Sequence, residues 1–282
     1  MHCQQKPVQD NDRLDAACVL PYCANIRFGH VRYSYTPETG STNDDARELA
    51  RQEAPHGTVI VADKQTAGRG RQDRNWESPP NLGIYTSLLL RPARPLQEAP
   101  LLGIAAAVAA VQAIEQITHV TAQIKWPNDI LLRERKIAGI LTETEMLADG
   151  KYALIIGFGI NVNTPYTALP DRVIFPASSI QLETGKNTSR PRLLAAWLDN
   201  MEKQYLLWHT GNASGIVHLW HKYAYGLGKT ISIRQQARTI TGILRGMAED
   251  GALILDAHQR KTIRLHAGDV ISASFSRETC SP

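Results

Sequence analysis

Between Gln65 and Trp76 the chain reads Gln-Thr-Ala-Gly-Arg-Gly-Arg-Gln-Asp-Arg-Asn-Trp, with Arg69, Arg71 and Arg74 set among Gly68 and Gly70. Guanidinium groups are permanently charged planar forks that match the oxygens of a phosphate or carboxylate. Glycines between them let the backbone approach a ligand closely. Such a stretch binds an anion. It is not a Walker phosphate loop, because no Gly-Lys-Ser/Thr is present and no helical pattern follows directly. The other residues with reactive or ligating side chains say less. His218 and His221 lie three apart on one helix face without a third ligand, and read as surface or partly packed side chains. Cys3, Cys18, Cys23 and Cys280 form neither a disulfide framework nor a zinc spacing, and read as free thiols.

The elements that must hold the loop are strands. Gly57 to Asp63 clusters β-branched residues between a glycine and a charged stop, and Leu82 to Leu90 is a second apolar run after the turn residues Ser78 to Asn81. A connection of this length between paired strands is itself a sign of function. Upstream, His30 to Tyr35 alternates as a first strand, Thr36 to Ser41 is turn-rich, and Asp44 to Gln52 has helical composition with Ser41, Thr42 or Asn43 free to cap it. A helix start also binds polar ligand groups, so capping and ligand binding are compatible there.

Downstream, Leu101 to Thr118 is an Ala-rich helix. Strands follow at Ala122 to Lys125, Ile130 to Leu132, Lys136 to Met146 and Tyr152 to Val162. Thr164 to Ser189 reads as a loop long enough to act as a lid, and Arg190 to His209 and Ile216 to Tyr225 return to helical spacing. From Gly226 the texture changes to five short alternating strands, a small β-barrel. The expected division is an extension over 1–24, a larger domain over 25–225 and the barrel over 226–282.

With 282 residues, 43% hydrophobic and 21% charged, the composition is that of a globular chain with a sizeable core. A formal charge of +4 suits anionic small molecules without arguing for nucleic acid. The polar N-terminus does not read as a secretory signal, and the apolar run Leu101 to Val111 falls short of the ~20 residues of a membrane span. The expectation is a cytoplasmic protein that binds neither membrane nor nucleic acid. Composition does not decide whether it forms a homodimer.

Gly68-Arg69-Gly70-Arg71 with Arg74 and Trp76 resembles the ligand loop of biotin protein ligases, the biotin–[acetyl-CoA-carboxylase] ligases. Four more stretches match that family in order: Ser41-Thr42-Asn43, Lys125-Trp126-Pro127-Asn128-Asp129, Lys136-Ile137-Ala138-Gly139-Ile140-Leu141 and Gly157-Phe158-Gly159-Ile160-Asn161-Val162-Asn163. One position departs: the family usually has Gly where this chain has Asp73.

The resemblance implies an α/β (α+β) fold, a mixed-sheet catalytic domain of the class II synthetase/biotin ligase type followed by a small SH3-like β-barrel. It implies activation of biotin with ATP and Mg²⁺ as biotinyl-5′-AMP, then transfer to a lysine of a biotin carboxyl carrier protein, a subunit of acetyl-CoA carboxylase. By the same resemblance Ser41, Thr42, Asn43, Gln65, Arg69, Gly70, Arg71, Lys136, Gly139 and Gly159 bind biotin. Arg69, Arg71, Trp76, Lys125, Asn128, Lys136 and Asn161 bind ATP. Arg71 and Lys136 match the pair at the carboxylate–phosphate junction, where two anions must meet and positive charge must follow onto the α-phosphate. Asp129 matches an acidic position that either holds Mg²⁺ or orients the incoming amine. Trp76 either closes over a bound adenylate or anchors the loop's end, and Asn161 either contacts the adenylate or forms a turn.

Three alternatives stand beside this reading. A bifunctional ligase and repressor carries an N-terminal winged helix-turn-helix, whereas 40 residues precede Ser41 here and show no such spacing, so the monofunctional form is expected. Lipoate-type ligases share a related fold but handle a ligand without a ureido ring. A biotin-binding module that has lost catalysis is the non-enzymatic alternative.

Overall fold

The computed structural model describes residues 12–24, 27–170, 175–236, 238–257 and 261–274. Its larger sheet has seven strands in the order β1-β2-β3-β7-β6-β5-β4. They are β1 (Tyr33–Thr39), β2 (Thr58–Gln65), β3 (Gly83–Leu90), β4 (Gln123–Lys125), β5 (Asp129–Leu132), β6 (Arg135–Met146) and β7 (Tyr152–Asn161). Only the β1–β2 pair is parallel, so the sheet is mixed.

Period-two alternation divides the apolar residues between the two faces. Val59, Val61, Ile84, Leu88, Leu154, Ile156 and Phe158 pack under helices α3 (Ala99–Thr118) and α5 (Arg190–His209), with α6 (Ala213–Tyr223) alongside. Ile60, Leu89, Ala153 and Ile155 face the other way and meet Ala46, Ala50 and Ala54, from helix α2 (Thr42–Arg51) and the turn after it. The alanines of α3 are fully buried, and their small size lets the helix lie close to α5. By length and composition this helix would be long and apolar enough to span a bilayer, which the run of consecutive apolar residues under-read. Of its most apolar window, 67% is buried inside the fold.

Two local expectations need correction. The first strand is Tyr33–Thr39, not His30 to Tyr35, and it runs through the stretch read as a turn. Pro37 prompted that reading, but β1 is an edge strand, where a residue without an N–H is tolerated. Thr164 to Ser189 is not uniformly loop: it holds a 3₁₀ turn at Tyr166–Ala168 and a short helix, α4 (Ile180–Thr184), capped by the Ser179 hydroxyl. The extension contains helix α1 (Ala16–Val19) and a 3₁₀ turn at Leu20–Tyr22. Cys3 and Cys280 lie outside the described residues.

The C-terminal strands β8 (Thr230–Gln235), β9 (Arg238–Met247), β10 (Leu253–Ala257), β11 (Lys261–Leu265) and β12 (Asp269–Ser274) form the small barrel as an antiparallel sheet, ordered β11-β10-β9-β8-β12. Its core is continuous with that of the larger domain. The Trp126 indole N–H donates to the Gly251 carbonyl at 3.3 Å, and the Lys125 ammonium to that of Val270 at 3.3 Å. The barrel is therefore seated on the Lys125–Asp129 turn.

Candidate active site

Strand register lays out the site. A single row of paired residues crosses six strands: Ala62, Tyr85, Gly159, Gly139, Asp129 and Lys125. Directly opposed residues share a face, and this is the face that carries α2. The helix covers only one end of it, over Leu89 and Ile155. Beyond that end, Gly157, Gly159 and Gly139 carry no side chains of their own, and they line a cavity of about 570 Å³ together with Asn43 and Trp76.

Lys136 joins the row through an irregularity. Three residues before Gly139, it would point to the opposite face of a regular strand. Pairing shifts between Ile130 and Leu131, so that Ile137 is the extra residue and Lys136 stands opposite Leu131. A bulge of this kind re-aims a side chain, and here it returns Lys136 to the face of Asp129. Its backbone is fixed on the other side by Pro176 and Ser178, whose backbone groups bond to it at 2.8 Å each.

The polar end of the cavity is built by the start of α2. Ser41 is the N-cap in extended conformation, yet its buried hydroxyl makes no capping bond. Gln65 takes the place of the cap: its Oε1 accepts from the Thr42 backbone N–H at 2.9 Å and the Thr42 hydroxyl at 3.1 Å, while its Nε2 donates to Ser78. Asn43 donates to Glu143 and accepts from Ser87, each at 2.6 Å. A side chain at Gly157 would come within 2.4 Å of Asn43 Oδ1. That glycine makes room for Asn43.

The arginine loop closes on itself. Trp76 N–H donates to the Gly68 carbonyl and Gly70 N–H to that of Arg74. A Cβ at Gly68 would lie 2.6 Å from the Trp76 carbonyl oxygen, so this glycine admits the loop's own backbone rather than a ligand's. The left-handed residue within the loop is Gln72, at φ 57°. The Trp76 ring lies on the floor, where a Cβ at Gly159 would come within 2.7 Å of it. The Lys136 ammonium sits 5.4 Å from the ring centre, a cation–π distance. The indole N–H is buried and has no partner among the described residues.

Charges are matched in clusters. Asp129 receives Lys125 on Oδ2 and Lys136 on Oδ1, both at 2.7 Å. Burial alone would raise the Asp129 carboxyl, but the two ammonium groups more than offset it and hold it below the usual carboxylate range. With both oxygens engaged by lysines, Asp129 does not fit the role of metal ligand. Among the described residues no group of three or more His, Cys, Asp or Glu side chains forms a cation site either. Arg71 and Arg74 share Asp269 of the barrel, and Arg69 forms a bidentate pair with Asp44 at 2.6 Å. Hydrogen bonding from Arg69 keeps the Asp44 carboxyl below its ordinary range.

All fifteen residues expected at the site line this one cavity. Like Asn43 and Gln65, two more have side-chain amides engaged structurally: Asn128 Nδ2 donates to the Ile140 carbonyl and Asn161 Nδ2 to that of Ser178. Sequence reasoning missed Asp269 and Arg234 of the barrel, Tyr85 on the floor, and Leu169, Pro170, Phe175 and Ala177, which also line the cavity. The barrel residues carry no motif. Only the strand alternation around them was legible.

Five separated motifs thus meet in one cavity. The biotin/lipoate A/B protein ligase family matches residues 35–161, and the biotin protein ligase C-terminal domain matches residues 226–271. The chain is 31% identical over 273 residues to the biotin–[acetyl-CoA-carboxylase] ligase of Mycobacterium tuberculosis, covering 93% of this chain and 98% of that one. This chain belongs to the biotin protein ligase family of enzymes. Its similarity to the bifunctional ligase/repressor BirA of Bacillus subtilis is 41% over 242 residues, 84% of this chain and 74% of the relative. Among solved structures, the biotin protein ligase of Aquifex aeolicus in complex with biotin and ATP superposes with a TM-score of 0.73 at 28% identity. That match covers 87% of this chain and 99% of the other.

Proposed function

We propose that this chain joins biotin to ATP as biotinyl-5′-AMP and then passes the biotinyl group to one lysine of a biotin carboxyl carrier domain of acetyl-CoA carboxylase, in the cytosol. In the first step a biotin carboxylate oxygen bonds to the α-phosphorus, and the bond from that phosphorus to the bridging oxygen breaks, releasing pyrophosphate. In the second, the lysine nitrogen bonds to the acyl carbon, AMP leaves with the electron pair of the C–O bond, and the amine loses a proton. Magnesium enters as part of the substrate MgATP, and no step is routed through it.

The observation that carries this reading is the convergence of the five motifs on one cavity with a polar end and a cationic end. Ser41, Thr42, Asn43 and Gln65 gather polar groups suited to a ureido ring, while Gly139 and Gly159 keep the floor flat beneath the Trp76 ring, where the apolar body of biotin would lie once that ring gives way. A dithiolane ring offers no hydrogen-bond partner to the buried Ser41 hydroxyl, which makes no capping bond, and this disfavours lipoate. Arg71 and Lys136 take the junction of carboxylate and α-phosphate, with Arg69 and Lys125 behind them and Asn128 and Asn161 at the nucleotide end. Asp129 acts as a positioning residue for the two lysines, and Trp76 closes the loop over the adenylate so that water is excluded.

Incubation with MgATP, a carrier domain and either biotin or lipoate tests the reading by intact mass. One biotinyl group should be added to the carrier, with AMP and pyrophosphate formed in equal amounts. Incorporation of lipoate in preference to biotin would overturn it.

A further inference from the structure

Glu143 on β6 stands outside the residues that line the cavity, yet it bonds to one that does. By register it shares a row with Leu89 and Ile155, so a carboxylate ends an apolar row under α2. Its Oε1 accepts from Arg47 at 3.0 Å and its Oε2 from Asn43 Nδ2 at 2.6 Å, while Arg69 is farther off at 3.9 Å. Arg47 reaches Glu145 as well, so α2 is fastened to β6 without the bond to Asn43.

That bond has a directional consequence. A carboxylate only accepts, so the Asn43 amide turns Nδ2 toward Glu143 and Oδ1 toward Ser87. Ser87 has one proton and spends it on Asn43. Its oxygen is then an acceptor, 2.8 Å from the Thr42 hydroxyl. On its other side the Thr42 hydroxyl meets Gln65 Oε1, which the Thr42 backbone N–H fixes as an acceptor. Both of these neighbours accept the Thr42 proton and neither supplies one. The hydroxyl is thus left as an acceptor in a residue that lines the cavity. We propose that Glu143 is a positioning residue that sets the polarity of the cavity's polar end through Asn43, Ser87 and Thr42, so that a ligand is selected there by an N–H donor. This rests on the ligase function proposed above, in which that donor is a ureido N–H of biotin.

The discriminating variant is Glu143→Gln, which keeps the shape of the side chain. Arg47 only donates, so it retains the amide oxygen and turns the new amide nitrogen on Asn43. Asn43 must then reverse, Ser87 donates to Thr42 instead, and the acceptor is filled. Glu143→Ala removes the constraint without imposing the reverse one. In equilibrium titration Glu143→Gln should bind biotin about ten- to a hundredfold more weakly than wild type, and Glu143→Ala should lose less. In steady-state pyrophosphate release Glu143→Gln should raise the KM for biotin and leave kcat within about twofold, because the ureido contact is common to ground and transition states. A residue that only fastens α2 gives the opposite order, with Glu143→Ala the weaker binder and the lower urea midpoint. That order, or wild-type biotin affinity in Glu143→Gln, overturns the proposal. A wild type that binds biotin and ATP yet releases no pyrophosphate defeats the ligase reading, while the biotin titration still judges Glu143.

Discussion

The carboxylate of Asp269 meets the guanidinium of Arg71 at 3.2 Å, across 198 residues of sequence. A loop of the larger domain is thereby tied to the last strand of the barrel, and Arg74 joins the same carboxylate at 2.5 Å. Removing it with Asp269→Ala should loosen the loop. A partly buried ion pair of about 1 kcal/mol corresponds to roughly a fivefold larger open population. Limited trypsin digestion without substrates, followed at Arg71 and Arg74, should therefore run about fivefold faster in the variant. Equal cleavage rates would show that the loop is held by its own backbone bonds instead.

Arg71 and Lys136 carry the heaviest assignment. In single-turnover experiments Arg71→Ala or Lys136→Ala should lower biotinyl-5′-AMP formation by about a hundredfold or more. Lys136→Ala also leaves Asp129 with Lys125 as its one remaining ammonium partner. If adenylate forms at wild-type rate in both variants, the junction lies elsewhere in the cavity.

Two glycines of the floor should respond differently to the same added methyl. At Gly159 it would lie 2.7 Å from the Trp76 ring, whereas at Gly139 its nearest neighbour, the same ring, is 3.5 Å away in ordinary contact. Gly159→Ala should therefore cost about 1–3 kcal/mol and shift tryptophan emission, while Gly139→Ala changes stability by well under that. Both should weaken biotin binding, because both fill the floor. Urea titration with fluorescence readout separates the two cases, and similar midpoints would refute the placement of the ring.

Much of this arrangement could be read from the chain, and the failures have physical causes. Helix α5 begins and ends at Arg190 and His209 as expected, because long apolar periodicity is a strong signal. The site motifs were visible because each joins glycine to a charged or amide side chain in a short run. What stayed hidden was set by pairing between distant segments. The shift that turns Lys136 toward Asp129 depends on how β5 meets β6. Asp269 and Arg234 acquire meaning only when β12 lies beside β8 and both residues line the cavity. Gly68 was read as a ligand contact, but whether a glycine faces a ligand or its own loop depends on the closed loop, which spacing does not reveal.

Arg190 is a buried cation at the start of α5, with 2% of its side chain exposed. It meets Asp63 at 2.9 Å and Asp12 at 2.8 Å, and donates to the Asp12 and Gly83 carbonyls. Asp63 in turn accepts from the Tyr35 hydroxyl. The network ties the extension, α5 and the strand leading into Gln65 into one unit. Arg190→Leu leaves the Asp63 carboxylate buried without its cation, and should destabilise the fold by about 3–5 kcal/mol. Chemical denaturation with an unchanged slope checks this. A loss below about 1 kcal/mol would mean that the cluster is solvated in solution.

His56 provides the pH dependence. Its Nδ1 accepts the Arg91 backbone N–H at 3.0 Å, and its ring packs against Phe28 and Tyr205. Arg91 donates to the carbonyls of Ala50 and Ala54, so this contact braces the end of α2, the helix whose start builds the polar end of the cavity. Burial, followed by the neighbouring His209, Arg27 and Arg91, pushes the imidazole below its ordinary value of 6.5. The folded state therefore holds His56 neutral where the unfolded chain takes up a proton. The sign follows from linkage: the contribution is complete above about pH 6.5 and is lost as pH falls below it, until the folded imidazole also protonates. His56→Asn keeps a side-chain acceptor but cannot titrate. Urea midpoints measured at about pH 7.5 and 5.5, on either side of the ordinary histidine value, should fall further for wild type than for His56→Asn. Equal falls would assign the acid sensitivity to another group, His221 first, since burial and His218 lower its imidazole in the same way.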